Sequence, residues 1–459
     1  MSHSTKPSAE ACVEADRKHV WHHLIQHQPF AAKPPMMVAE ADGIRIRDIH
    51  GKEYLDATSG GVWCVNVGYG RDRIAEAVCA QMKKMPYYAA VMGNIPAAEF
   101  SEKLLSYMPG LSRVYLSNSG SEANEKAYKM IRALAHIQGN PAKKKILFRH
   151  RDYHGTTIAA LSSTGQQERR DWFGPFVEGF VEFPHCCCYR CAFNQTYPGC
   201  GLECAHAVER VIQEQGADTV GGLIVEPITA GGGVIPPVPE YYKVVSEICA
   251  RHGVLLIMDE VVCGVGRTGT MFGYQHYGVT PDIVTMAKGV ASAYMPISAT
   301  VTTEKVFSAF CNDPSDKLAY FRDISTFGGC ASGPTAAIEN LKIIEEENLL
   351  ARVTEMGDYL LDGLKGLSDL PGVGDVRGRG LLCGVEFVED KATKKPLAEG
   401  KVIQIAGETA AQGVLVGRTN RSLPGGNTVI NLAPAYVVGK ADIDTMVAAL
   451  KAAVLKVLG

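Results

Sequence analysis

Neither a charge excess nor a long apolar run is present in the 459 residues of the chain. Lysine and arginine number 46 against 49 aspartates and glutamates, a formal charge of −3. That balance gives no electrostatic reason to expect nucleic acid or an anionic membrane surface as a partner. No apolar stretch approaches the roughly 20 residues that cross a bilayer. The opening residues, MSHSTKPSAEACVEADRKHVW, have no apolar core of the secretory kind, and their acidic side chains argue against a transit peptide. A cytoplasmic protein is the expectation, and the 14 cysteines are then read as mainly reduced thiols. No internal repeat is found.

What is present is material for a large core: 46% of the residues are hydrophobic, and the length suits two or three lobes. The opening predicts an amphipathic helix through about Gln26, with His23 and His27 on one face and read as surface histidines rather than metal ligands. IRIRDIHGKEYLDATSG alternates about a turn at Gly51, which predicts a small hairpin. From about residue 70 the runs KKILFRH, GGLIVEPI, VLLIMDEV and DIVTMAKG alternate with helical segments. Continuous apolar strands between helices predict an α/β fold with a parallel sheet covered on both faces. The stretch from SGPTAAIENLK to YLLDGLKGL predicts one long helix crossing to a smaller α+β unit. The expected domains are an N-terminal segment, 1–65, packed with the small domain, a large domain, 66–340, and a C-terminal small domain, 341–459.

The polar residues that end the strands carry the chemistry. In an open parallel sheet ligands sit just outside the carboxyl ends of the strands. Glu226, Asp259 and Lys288 end three successive apolar runs. Asp259 could cap a helix and Lys288 could be a surface lysine, or the two could form a buried ion pair. Pyridoxal phosphate offers another solution, because its pyridine nitrogen needs a carboxylate and its aldehyde needs an amine. Its phosphate needs a cradle, and Ser119, Gly120 and Ser121 open a strong helix pattern in LSNSGSEANEKAYKMIR. Free N–H groups and the helix dipole favour an anion there, although an ordinary serine N-cap with Glu122 in the first turn would look the same.

SGSEAN, YHG, VEP, DEVVCGVGRTG, MAKG and STFGG, in that order, resemble the class III aminotransferases, a branch of the fold type I pyridoxal-phosphate enzymes. The resemblance covers nearly the whole chain. It implies a large domain with a mainly parallel seven-stranded sheet and a smaller α+β domain built from the C-terminus and the N-terminal segment. It also implies that Lys288 bonds the cofactor and then shuttles a proton, while Asp259 partners the pyridine nitrogen. Glu260 is expected to make structural hydrogen bonds. The family pattern places Ser119, Gly120 and Ser121 at the phosphate, Tyr153 on one ring face, Val261 on the other, and Glu226 as an acid near the cofactor. Thr326 matches a phosphate ligand donated by a neighbouring subunit, so a homodimer is implied, with a homotetramer also open.

The same resemblance implies transamination between an amine donor and a keto-acid acceptor. Trp63, Tyr87 and Tyr88 fall in segments that border the substrate in family members, and aromatic walls suit an unbranched terminal amine. In GRTNRSLPGGNTVINLAP, Leu423 falls near the position of the usual carboxylate-binding arginine. Arg421 is the best substitute, and Arg418 the second. FPHCCCYRCAFNQTYPGCGLECA carries Cys188, Cys191, Cys200 and Cys204 at spacings that could hold zinc, but a packed thiol-rich loop without metal is the expectation. Within the family these features are most similar to members acting on taurine with pyruvate. β-Alanine or 4-aminobutyrate are alternative donors, and an aminomutase is an alternative reaction.

Overall fold

The computed structural model describes residues 8–32, 36–313, 315–419 and 428–459. Near the N-terminus β1 (Val38–Asp42), β2 (Arg45–Asp48) and β3 (Glu53–Asp56) form an antiparallel meander around the turn at Gly51. The central sheet is built from β4 (Arg113–Ser117), β5 (Lys145–Arg149), β6 (Phe180–Phe183), β7 (Val220–Val225), β8 (Leu255–Asp259), β9 (Ile283–Met286) and β10 (Ser298–Thr302). Its seven strands lie in the order β4-β10-β9-β8-β7-β5-β6. All neighbours are parallel except β10, which runs antiparallel to both β4 and β9.

The apolar runs read as continuous because both faces of this sheet are buried. Ile146, Phe148, Ile224, Ile257 and Ile283 pack with Ala127 and Ile131 on one side. Their alternates Leu147, Leu223, Val225, Leu256, Met258 and Val284 pack into the larger core on the other. The period of two sends successive residues to opposite faces, and each face meets apolar partners.

Beyond residue 370, β11 (Val373–Gly378), β12 (Cys383–Asp390), β13 (Lys395–Pro396), β15 (Gly417–Thr419) and β16 (Val429–Leu432) make a second antiparallel sheet. The strand β14 (Val414–Leu415) instead pairs parallel with β3, so the N-terminal meander and the C-terminal region share a sheet. Among the described residues no helix is long and apolar enough to cross a membrane.

Two helices differ from their predicted extents. The first spans Ala9–His19 and does not reach Gln26; a turn with Leu24 at φ 56° separates it from a short helix, His27–Ala32. His23 and His27 therefore share no helical face. His22 bonds instead to Asp16 at 2.7 Å, and its N–H donates to His27 Nε2 at 3.2 Å. The stretch predicted as one long helix is two, Ser332–Glu346 and Leu349–Lys365. Asn348 breaks it at φ 51°, a left-handed conformation that asparagine tolerates better than most residues.

Candidate active site

A cavity of about 460 Å³ opens at the carboxyl ends of β8 and β9, and Ser119, Gly120, Ser121, Tyr153, Asp259, Val261 and Lys288 all line it. Residues spread over 170 positions thus meet because the strand ends and the helix that follows β4 converge there.

Asp259 is the last residue of β8 and only 2% exposed. Its Oδ2 accepts from Asn124 Nδ2 at 2.9 Å and from His154 Nδ1 at 2.8 Å, while Oδ1 accepts from the Val261 N–H at 3.0 Å. Asn124 is itself fixed, donating to the His154 carbonyl at 2.7 Å and accepting from Thr285 Oγ1 at 2.6 Å. The carboxylate is thus held by three N–H donors and makes no salt bridge to Lys288, which removes that alternative. An ionised carboxylate only accepts, so its bond fixes the proton on His154 Nδ1. The Nε2 of His154 is buried without a hydrogen-bond partner among the described residues. His154 and Asn124 were not singled out from the sequence, although both stand inside quoted motifs, YHG and SGSEAN. The available signal was an asparagine on the buried, mainly apolar face of the helix.

Ser119 caps the helix Gly120–Ile137. Its Oγ accepts from the Glu122 N–H at 3.2 Å, and Glu122 accepts in return from the Asn118 and Ser119 N–H groups at 2.7 and 3.2 Å. The ordinary N-cap is therefore real, and it coexists with an anion cradle. Gly120 and Ser121 both line the cavity, and their amides begin the helix without intrahelical acceptors. Gly120 is required by close approach: a Cβ there would stand 3.0 Å from Val261 Cγ2. Ser121 Oγ accepts from the Thr156 N–H at 3.0 Å, tying the cradle to the loop after Tyr153.

Lys288 follows β9 with φ 45°. A left-handed backbone at a non-glycine residue is strained, and such strain persists where packing enforces it. The next residue shows the enforcement: a Cβ at Gly289 would fall 2.1 Å from Asn66 Nδ2. Tyr153 is held through its backbone, whose N–H donates to Glu226 Oε1 at 2.9 Å. Burial raises the Tyr153 hydroxyl pKa. The other Glu226 oxygen accepts from the Ala230 N–H at 3.0 Å, and the side chain does not line the cavity. Burial, followed by the nearby Asp152 and Asp259 carboxylates, pushes the Glu226 acid well above its ordinary range, against those two N–H groups. Arg149 Nη2 reaches the Glu226 carbonyl at 2.6 Å, so Glu226 shapes the Tyr153 loop rather than presenting an acid to a ligand. Glu260 accepts from the Gly273 and Tyr274 N–H groups at 2.9 and 2.8 Å, the structural role expected of it.

The substrate-side residues are more dispersed. Trp63, at φ 64°, donates from Nε1 to Asn431 Oδ1 at 3.0 Å and packs on Ile228, Ala230 and Val234, while its neighbour Cys64 lines the cavity. Tyr87 and Tyr88 are 40% and 56% exposed and stand outside the cavity wall. Thr326 is exposed at the start of a short 3-10 turn, also outside it. Arg421 and Leu423 lie outside the described residues. Arg418, on β15, pairs with Glu399 at 3.7 Å. In the cysteine-rich segment Cys186 and Cys187 are buried and Cys188 is exposed, all as free thiols; burial pushes Cys186 up to about 12. Among the described residues no group of three or more His, Cys, Asp or Glu side chains is arranged to hold a metal ion.

Residues 28–454 match the family described as Aminotransferase class-III. The chain is a class III aminotransferase. The taurine–pyruvate aminotransferase of Rhodobacter capsulatus is 55% identical over 446 residues, 97% of each chain. That of Bilophila wadsworthia is 56% identical over 439 residues, 95% of each chain. Among solved structures, an aminotransferase of Bacillus anthracis superposes with a TM-score of 0.94 at 40% identity, over 97% of this chain and 98% of that one. The enzyme therefore has the fold type I architecture, and family and fold imply pyridoxal phosphate.

The residues present fit that cofactor. Asp259 is a buried carboxylate aimed by three donors, the Gly120 and Ser121 amides at the helix start have no partner among the described residues, and Val261 and Tyr153 line the same space. The Lys288 amine, in the wall of that cavity, makes no hydrogen bond or salt bridge to a described residue.

Proposed function

We propose that this aminotransferase moves the amino group of taurine to pyruvate, giving 2-sulfoacetaldehyde and L-alanine. The observation that carries the donor assignment is the likeness, above half identity along nearly the full length, to two relatives named for that pair. Transamination of small amines rests more broadly on the family and on the cavity.

In this proposal Ser119, Gly120 and Ser121 hold the cofactor's phosphate, Tyr153 and Val261 hold its ring, Asp259 its nitrogen, and Lys288 its aldehyde carbon. When bound, pyridoxal phosphate supplies an electron sink that acidifies the C–H bond next to the substrate amine. Lys288 Nζ would take the proton from that carbon and pass it to the cofactor's aldehyde carbon within the same half-reaction, and would carry it the opposite way for the acceptor, general acid–base work worth about 10²–10⁴-fold. Asn124 and His154 keep Asp259 from turning away. The apolar wall around Met295, Pro296 and Ile297 limits water beside Lys288.

A homodimer completes this reading, with Thr326, Tyr87 and Tyr88 serving the neighbouring site. It is supported by an exposed apolar surface that includes Tyr88, Val91, Met92, Ile95, Ile324 and Phe327, at 56–82% exposure. Apolar surface of this kind marks an interface on a soluble chain. A cytoplasmic location is proposed with it, supported by 14 cysteines that are all free. Initial rates with taurine, β-alanine and 4-aminobutyrate, each against pyruvate, test the donor. Taurine is expected to lead, with alanine formed stoichiometrically; a large β-alanine preference overturns the choice.

A further inference from the structure

Arg151 is only 2% exposed, yet it makes no salt bridge to a described residue. Its Nε donates to the Gly232 carbonyl at 2.9 Å. Neither terminal amine has a hydrogen-bond partner among the described residues, and Nη1 is fully buried. The residue sits at φ 75°, in the turn that leads from β5 to Tyr153, so packing and not local preference fixes its place.

Two more arginines face the same interior. Arg377 on β11 and Arg190 in the cysteine-rich segment both pair with Glu386 of β12, Arg377 Nη2 at 2.7 Å. Arg377 Nη1 also pairs with Asp375 at 2.6 Å, while Arg190 Nη2 is buried without a partner. A Cβ at Gly233 would stand 2.8 Å from Arg151 Nη2 and 3.2 Å from Arg377 Nη2, so these two amines lie at most about 6 Å apart. At that separation and an effective permittivity of about 20, two unit charges repel by roughly a hundredfold in an equilibrium constant. The ion pairs bring two carboxylates to three guanidiniums, which leaves one positive charge without a counter-charge. Water could fill the orphaned N–H groups but would not neutralise a buried cation.

We infer that Arg151, with Arg190 and Arg377 behind it, forms a binding site for one small inorganic anion of the chloride class. The ion rests on the free fork of Arg151, where the loop after β7 meets β11 and β12. A monatomic anion is favoured because the buried Nη1 leaves entry only for something near the size of water. Arg151 leads directly into Asp152 and Tyr153, and Gly232 belongs to the loop whose Ala230 N–H holds Glu226, so the ion braces the turn behind the cavity. The Cys187 thiol, which lies near both Arg151 and Arg377, is the rival source of the missing charge, as a thiolate.

The test is thermal unfolding of holoenzyme at constant ionic strength, with sodium chloride replacing sodium gluconate stepwise. The midpoint is expected to rise along a saturable curve, by about 3 °C once chloride exceeds its dissociation constant about a hundredfold. Arg151→Gln, which keeps N–H donors and drops the charge, should show equal midpoints in the two salts. Should that variant fold poorly, bromide soaked into wild-type holoenzyme crystals decides alone, through an anomalous peak in contact with the Arg151 terminal amines. A wild-type midpoint indifferent to chloride overturns the inference, and is the result expected if Cys187 carries the charge. A chloride effect that survives in Arg151→Gln overturns it too, as does a bromide peak only elsewhere. A peak at Arg151 without any effect in solution is binding at crystal concentration only and equally overturns it.

Discussion

Replacing Asp259 by asparagine is the sharpest perturbation of the site, because the change is isosteric and the surroundings leave an amide no good orientation. Both carboxylate oxygens accept N–H donors: Oδ2 from Asn124 and His154, Oδ1 from Val261. An amide can turn its oxygen toward only one of these groups, so its NH₂ meets a donor on the other side. At 2% exposure water cannot repair the mismatch, and an unsatisfied buried donor costs about 1–3 kcal/mol of stability. The lost charge has a separate effect on rate. A carboxylate about 4 Å from a cationic ring nitrogen interacts by about 4 kcal/mol at an effective permittivity of 20, and a charge-assisted hydrogen bond is worth about 1.5–3 kcal/mol. Taking 2–4 kcal/mol and about tenfold per 1.4 kcal/mol, Asp259→Asn should slow the first half-reaction by roughly 30- to 1,000-fold. The assay is stopped-flow conversion of the bound cofactor by donor at saturating cofactor, with urea unfolding measured in parallel to correct for any unfolded fraction. A half-reaction within fivefold of wild type, on fully loaded protein, would refute the pairing of Asp259 with the ring nitrogen.

The other expectations are more local. Lys288→Ala should abolish multiple turnover while moving the unfolding free energy by less than about 1 kcal/mol, since the amine makes no bond to a described residue; retained turnover contradicts its role. Gly120→Ala drives a methyl to 3.0 Å from Val261 Cγ2 and should weaken cofactor affinity about tenfold, read by titrating cofactor-free protein; an unchanged affinity would show that the cradle yields without cost. His185 is held down to about 3, by burial first and then by the nearby basic side chains of Arg151, His150 and Arg149. Because its folded pKa is depressed below about 6.5, the unfolded chain binds the extra proton first. Stability is therefore lost as pH falls from about 6.5 toward 3, by up to about 1.4 kcal/mol per pH unit. His185→Asn, which keeps an acceptor for the Cys187 N–H, should flatten that slope; an identical slope in the variant would assign the acid sensitivity elsewhere.

The parts legible in the sequence were those written as local pattern. The runs at 145–149, 220–225, 255–259 and 283–286 are strands because β-branched and other apolar residues follow one another without polar alternation. The polar residues after the last two, Asp259 and Lys288, mark the cavity because a parallel sheet exposes ligand sites at the carboxyl edge. The helix ends were less legible. Nothing in EEENLL distinguishes an asparagine within a helix from one at φ 51° that splits it, since the choice depends on what each half packs against. Glu226 shows the same limit at the site. Its place after β7 is plain, but the two backbone N–H groups that occupy its carboxylate belong to Tyr153, far away in sequence, and to Ala230.

Sequence by itself determined the family, the parallel sheet and seven of the residues that meet in the cavity, Ser119, Gly120, Ser121, Tyr153, Asp259, Val261 and Lys288, because strand period, helix caps and ordered motifs are short-range properties. Only the tertiary structure decided how Asp259 is aimed and that Lys288 stands apart from it. Those outcomes depend on side chains separated by as many as 135 positions arriving within 3 Å of each other, and no local pattern carries that information.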